Sequence, residues 1–326
     1  MTFSALAVMT AGSFFYGCML HMPGESKTPP LPPITSEESS AAADLKRYVT
    51  TLAVEIGERN TRRPAELERA ALWIEAELSQ AGYTPERNTY FVDGVACSNI
   101  EVNIAGRDKT KVVLGAHYDS AVGSPGANDN GSGVAALLWL AKKLKSSSPN
   151  QTLTLVFFVN EEPPYFLTSR MGSRVWADAA KARGDSVSAM LSLETMGFYT
   201  DKPDSQHYPF PIGAFYPSEG NFLGFVANID SGDLAREAVR EFRKEASLPS
   251  EGTALPSHTT GVDWSDHASF WRHGWPALMV TDTAPFRYPH YHQRTDLPDK
   301  IDFESLARAV VGLEKVVRLL ANAERT

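Results

Sequence analysis

Cysteine is scarce. The 326-residue chain holds two, Cys18 and Cys97, which excludes a disulfide scaffold and any cysteine-rich zinc finger. A metal site in this chain must therefore be made from histidine and carboxylates. Positive charge is also in short supply. Lys and Arg number 31 against 39 Asp and Glu, for a net charge of −8, and no basic run interrupts the sequence. That removes the electrostatic footprint of a nucleic-acid binder, so no nucleic-acid partner is expected. With 43% hydrophobic and 21% charged residues, the composition is that of a globular protein and not of a disordered or fibrous one. The length allows one large α/β domain or two smaller ones.

Long charge-free stretches are nearly absent as well; the exception is Phe3–Leu20. As a helix it would span roughly 27 Å, close to a bilayer core. Gly, Ser and Thr interrupt it, so residues 1–22 read as a signal peptide or lipoprotein leader, though no basic residue opens the segment. Phe15-Tyr16-Gly17-Cys18 is similar to a lipoprotein box with bulky first positions. An uncleaved anchor or a misplaced start codon is the alternative. The expectation is an exported protein, periplasmic, secreted or membrane-anchored, with any membrane attachment confined to this segment. Residues 23–40 are rich in Pro, Ser and Glu around Pro29-Pro30-Leu31-Pro32-Pro33, a composition that makes a stiff, exposed tether. The folded domain is then 41–326, and Cys97, without a partner, is a packed core residue.

Within that domain, 65–80 carries Leu67, Ala70, Leu72, Ile74 and Leu78 at helical spacing, with Pro64 at its first turn and Gly82 past its end. Tyr90–Val95 and Asn99–Ile104 read as strands. Val112–Gly115, Leu153–Val159, Ala189–Leu193 and Ala277–Val280 are short apolar runs of the buried-strand kind. Gly133–Leu144, Leu234–Phe242 and Phe303–Ala321 read as helices. Strands alternating with helices predict a single α/β domain: a mixed, mostly parallel central sheet flanked by helices on both faces. In such sheets ligands bind beyond the carboxyl ends of the strands.

Residues capable of chemistry follow those strands. His117-Tyr118-Asp119 comes after the first buried run, and a side chain two residues on faces the same way, so Asp119 can hold the ring or its neighbours. Asp129 lies in a Gly-rich turn that leads into a helix, where the plain alternative is a helix cap. Glu161-Glu162-Pro163-Pro164 follows the strongest strand. The prolines exclude a helical surface for that pair, and burying either charge unpaired is costly. Consecutive residues of a regular strand face opposite ways, so both carboxylates reach one site only if the strand end is irregular. Glu194 follows another apolar run, and His292 lies in the loop beyond the strand at Ala277. Two imidazoles and several carboxylates suit Zn²⁺ without sulfur. Three ligating carboxylates and one hydroxide are neutralised by two dications, whereas a single ion leaves excess negative charge.

These motifs, together with Gly57-Glu58-Arg59-Asn60, Met171-Gly172-Ser173-Arg174, SDHASFW at 265–271 and YHQRTDLPDKID at 291–302, resemble the M28 family of zinc peptidases, above all its two-zinc aminopeptidases. The likeness runs through nearly the whole folded part. It implies a zinc-exopeptidase fold of the phosphorylase/hydrolase-like kind, two Zn²⁺ per chain and peptide substrates. It also implies residue roles: Asp129 bridging the metals, His117 and Glu194 completing one site, Glu162 and His292 the other, Glu161 as general base, and Tyr291 stabilising the oxyanion. Asp119 and Asp266 would brace the ligands from behind, and His267, like His290, would either do the same or be structural. Glu194 stands where some members carry Asp. A cis peptide between Asp129 and Asn130 is implied too.

The resemblance leaves rivals: a single-zinc glutaminyl cyclase, a carboxypeptidase of the same family, and a peptidase-like ectodomain that only binds partners. The aromatic stretch 199–220, with Tyr208, Phe210, Phe215 and Tyr216, and Phe286 beyond it, reads either as a pocket wall or lid favouring an apolar N-terminal side chain, or as a satellite core under a long loop.

Overall fold

The apolar run at Val112 anchors the architecture. In the computed structural model, which describes residues 19–323, it belongs to β3 (Asp108–His117). This strand lies between parallel neighbours β4 (Gln151–Phe158) and β5 (Val187–Glu194). Each is buried on both faces, which is why all three read as continuous apolar runs and not as alternating ones. β8 (Ala277–Thr281) pairs parallel with β5. The full order is β1-β2-β4-β3-β5-β8-β6-β7, eight strands in one mixed sheet. The expected α/β architecture is therefore present.

One face of the sheet is covered by α1 (Ser36–Thr50), α2 (Pro64–Gln80), α3 (Gly131–Leu144), α5 (Gly232–Glu245) and α8 (Phe303–Asn322), whose apolar residues share one core. The other face carries α4 (Gly172–Arg183) and the short α6 (His267–Trp271), packed around Phe158, Trp176 and Phe270. A last short helix, α7 (Ala284–Arg287), follows β8. The side chain of Asp302 accepts from the backbone N–H groups of Glu304 and Ser305 and so caps α8.

Several expectations need correction. Tyr90–Val95 is not one strand: β1 (Glu86–Val92) turns at Asp93-Gly94 into β2 (Val95–Ile104), because both turn residues take positive φ and close an antiparallel hairpin. Leu72 of α2 is exposed, and Ala71 takes the buried stripe instead. Two strands were not expected, β6 (Leu223–Asn228), whose apolar run is broken by Gly224, and the edge strand β7 (Ser250–Leu255).

The tether behaves differently from its composition. α1 begins at Ser36, inside the expected 23–40 spacer, through a capping box in which Thr35 and Glu38 satisfy each other's backbone N–H. The preceding segment lies along the domain. The Arg243 guanidinium donates to the carbonyls of Met22 and Gly24, and Arg308 to that of Pro32. Ser26 Oγ accepts from the N–H of Ser250 on β7, and Met22 is buried under Gly252. Buried guanidinium groups need acceptors, and this proline-containing segment, poor in its own pairing, supplies free carbonyls. The leader expectation, with Cys18, lies in residues 1–18, outside the described residues. Among the described residues no helix is long and apolar enough to cross a membrane. Cys97 is buried and free.

Candidate metal centre

The carboxyl ends of β3, β4 and β5 lie side by side, and the polar residues follow at once. His117 is the last residue of β3 and Glu194 the last of β5. Beyond β4 the chain departs from strand geometry: Asn160 has φ 60° and Pro163-Pro164 is cis. This irregular end turns both Glu161 and Glu162 toward the site. Asp129 arrives from the turn before α3, through the cis Asp129-Asn130 peptide that the sequence resemblance implied. His292 comes from the loop after α7, at φ 57°.

These six residues form two sets of mutually close donor atoms: His117, Glu161 and Glu194, and Asp129, Glu162 and His292. Asp129 touches both. Its Oδ1 lies 3.5 Å from His117 Nε2, and its Oδ2 lies 3.0 Å from His292 Nε2. His117 Nε2 also faces Glu194 Oε2 at 3.4 Å and Glu161 Oε2 at 3.8 Å. His292 Nε2 faces Glu162 Oε2 at 3.1 Å.

The electrostatics are unfavourable without a cation. Burial pushes Glu162 up to about 7, and burial with the neighbouring carboxylates pushes Glu161 and Glu194 upward as well. Burial alone would lower the imidazoles. The surrounding carboxylates override it, raising His292 to about 10 and His117 well above its ordinary value. The two imidazoles hold Asp129 low against the effect of burial. His117 Nδ1 lies 3.2 Å from the Asp119 carbonyl. With its proton there, the Nε2 lone pair is aimed at acceptor-only oxygens. His117 Nε2, Asp129 Oδ2 and Glu162 Oε1 are all buried without a hydrogen-bond partner. Either extra protons or dications must occupy such a place. Nitrogen and carboxylate donors without sulfur, in two adjoining sets, fit Zn²⁺.

The surroundings hold this cluster by its backbone. Asp119 accepts from the N–H of Glu161 and of Glu162, both at 3.2 Å, so it fixes the irregular turn as well as the His117 ring. Two further carboxylates were not singled out from sequence. Asp296 accepts from the N–H of Asn128 at 2.8 Å, the N–H of Asp129 at 3.1 Å and the Tyr288 hydroxyl at 2.7 Å. Asp282 accepts from Asn128 Nδ2 and the Phe198 N–H, each at 2.8 Å. Arg59, within the Gly57-Glu58-Arg59-Asn60 stretch, donates to the carbonyls of Tyr118, Pro125 and Gly126, tying the end of β3 to the Asp129 turn. Burial lowers its guanidinium to about 10.

The expected braces differ among themselves. Asp266 is buried near the cluster with both carboxylate oxygens unpartnered, and burial raises it to about 7. His267 Nε2 is paired with the Val262 carbonyl at 2.8 Å and its ring packs edge-on to Trp271. Burial lowers it to about 4. It makes none of the close contacts of the donor set, so its place is that of a neutral core histidine. Tyr291 stacks on the His292 ring at 3.8 Å, and burial beside Asp129 and Glu162 raises its hydroxyl, which stays protonated.

Next to Glu194 and Tyr291 a pocket opens over β8, β6 and β7. Tyr208 and Tyr216, stacked at 5.7 Å, form part of its wall, and Phe286 stacks on Trp264 there. Phe210 and Phe215 do not line it; they are 98% and 48% exposed.

Comparison with known proteins identifies the family. The sequence model of peptidase family M28 matches residues 99–316. The uncharacterized protein YfbL of Escherichia coli (strain K12) is 32% identical over 289 residues, covering 86% of this chain and 88% of that protein. A probable leucine aminopeptidase of Arthroderma otae is 28% identical over 275 residues, 78% of this chain and 66% of that protein. Among solved structures, BSAP, a zinc aminopeptidase from Bacillus subtilis, superposes with a TM-score of 0.69 at 14% identity, covering 90% and 97% of the two chains. The Fimbriiglobus ruber glutaminyl cyclase superposes at 0.64 with 19% identity, covering 91% and 98%. At these identities the superpositions speak for the fold alone.

Proposed function

Since the chain belongs to peptidase family M28, and is accordingly a hydrolase of the metallo-aminopeptidase kind, we propose that it releases N-terminal residues from peptides with two Zn²⁺ per chain. One observation carries the reading: the two oxygens of Asp129 face the two donor sets separately, Oδ1 toward His117 and Oδ2 toward His292. His117 and Glu194 would hold one ion with Asp129, and Glu162 and His292 the other. Bound zinc supplies Lewis-acid polarisation of the scissile carbonyl and a water acidic enough to react near neutral pH.

The chain's own residues do the rest. Glu161 lies within the first donor set, and its high proton affinity suits a base that takes a proton from water and returns it to the leaving amine. This keeps Glu161 as a proton carrier, with Asp129 as the third donor to that ion. Tyr291 stays protonated and donates toward the developing oxyanion. Asp119 and Asp296 keep the backbone of both loops in place while charge shifts. The apolar run Phe3–Leu20 supports action outside the cytoplasm.

Metal analysis and aminoacyl-anilide turnover on one sample, before and after chelation, test the proposal. Two zinc ions per chain with activity lost on chelation and regained with zinc are expected. One zinc, with pyroglutamate formed from N-terminal glutamine, assigns the cyclase reaction instead. Cleavage restricted to N-blocked peptides assigns a carboxypeptidase, and a folded, zinc-free, inactive protein a binding ectodomain.

A further inference from the structure

The pocket beside the metal centre has a floor set by sheet register. Glu194 pairs with Thr281, Thr281 with Gly224, and Gly224 with Glu251, across β5, β8, β6 and β7. Residues paired in this way put their side chains on the same face. Gly224 leaves the middle of the row open, and a Cβ there would approach the Thr281 carbonyl and Thr283. The row starts at the metal-binding carboxylate and ends at a second carboxylate. With strands about 4.8 Å apart, the two Cα atoms are separated by roughly 14 Å.

Glu194 and Glu251 are the charged residues of the lining; no Lys or Arg contributes to it. The Glu251 side chain keeps 23% of its surface exposed. Arg243 touches it at 3.4 Å, a long contact, because that guanidinium is already spread over the carbonyls of Met22, Gly24 and Ser250. A carboxylate offers about four acceptor positions, so Glu251 has capacity left. Between the two ends the walls are aromatic, with the Tyr208–Tyr216 pair flanking the Glu251 end. An apolar channel with an acidic end and π-faces beside it suits an apolar stem carrying a cation.

We propose that this pocket selects peptides whose N-terminal residue is lysine or arginine, the apolar stem lying over Gly224 and the cationic tip at Glu251. The proposal rests on the aminopeptidase reading and narrows its substrate class. It departs from the apolar preference that the aromatic residues alone suggested.

The test compares lysine and norleucine p-nitroanilides, which share a four-carbon stem and differ in the terminal ammonium, on the zinc-loaded full chain. Wild type is expected to favour lysine in kcat/KM by about tenfold or more, the scale of one hydrogen bond to a charged group. Glu251→Gln should remove that preference, chiefly through KM, and Glu251→Asp should keep most of it. A wild-type preference for norleucine overturns the proposal. So does a lysine-to-norleucine ratio unchanged in Glu251→Gln, the result expected if Glu251 serves only to hold Arg243. Wild type that turns over neither compound overturns the aminopeptidase reading itself, and this proposal with it.

Discussion

The two donor sets are built in different ways. His117 and Glu194 terminate strands two positions apart in chain order but adjacent in the sheet, and Glu161 follows the strand on the other side of β3. The sheet's hydrogen bonds therefore position that set, and His117 is fully buried. The second set draws on a turn and two loops. Its His292 side chain is 31% exposed, and its geometry depends on Asp119 and Asp296 gripping backbone N–H groups. A site held by strand ends has little freedom to relax, whereas one held by loops is only as firm as the carboxylates behind it. The strand-end set should keep its ion longer.

The largest effect should come from Glu161, which is part of the firm set but, on this reading, not a ligand. Glu161→Gln should lower kcat by about 10²–10⁴-fold with zinc content unchanged; loss of zinc in parallel would make it a ligand. The comparison itself is tested by His117→Ala against His292→Ala. The second should leave one tightly held zinc per chain and the first should disturb both ions; equal loss from both would show the sets to be equivalent. Asp119→Ala should weaken metal affinity about 10–100-fold, seen by titration with a chelating indicator, because Asp119 holds the His117 ring of one set and the Glu162 backbone of the other. The smallest effect is on pH. In chelated protein Glu162 titrates near 7 against 4.5 when unfolded, and His292 near 10 against 6.5. In both windows the folded chain binds more protons, so stability should fall as pH rises from about 5 to 9. Zinc should flatten that slope in melting curves, because ligand binding replaces the protons.

The same division governs what could be read from the sequence. β3, β4, β5 and β8 are buried on both faces, so their apolar runs were visible, and the chemical residues just beyond them were visible with them. β6 is interrupted by Gly224 and ends in Asn228, and β7 reads Ser-Glu-Gly-Thr-Ala-Leu. An edge strand that lends Glu251 and Thr253 to a pocket has no reason to look apolar. The Asp93-Gly94 turn was a legible hairpin signal between two runs, as was the Thr35/Glu38 capping box. Composition rich in Pro, Ser and Glu obscured the latter. Asp296 lies in the 291–302 motif, four residues beyond His292, but its task, holding two amides of a distant turn, depends on tertiary contact that spacing does not encode. His267 was open to a bracing or a structural place, and its ring packs on Trp271.

The strap formed by residues 19–26 has a consequence outside chemistry. A sheet's outermost strand presents unpaired backbone to any neighbouring chain and invites runaway stacking into aggregates. Here Ser26, Met22 and Arg243 occupy that margin on β7, so the molecule shields one of its two open borders. Trimming the strap should therefore bring precipitation on storage together with a lower melting temperature, since the buried Arg243 guanidinium loses the carbonyls of Met22 and Gly24.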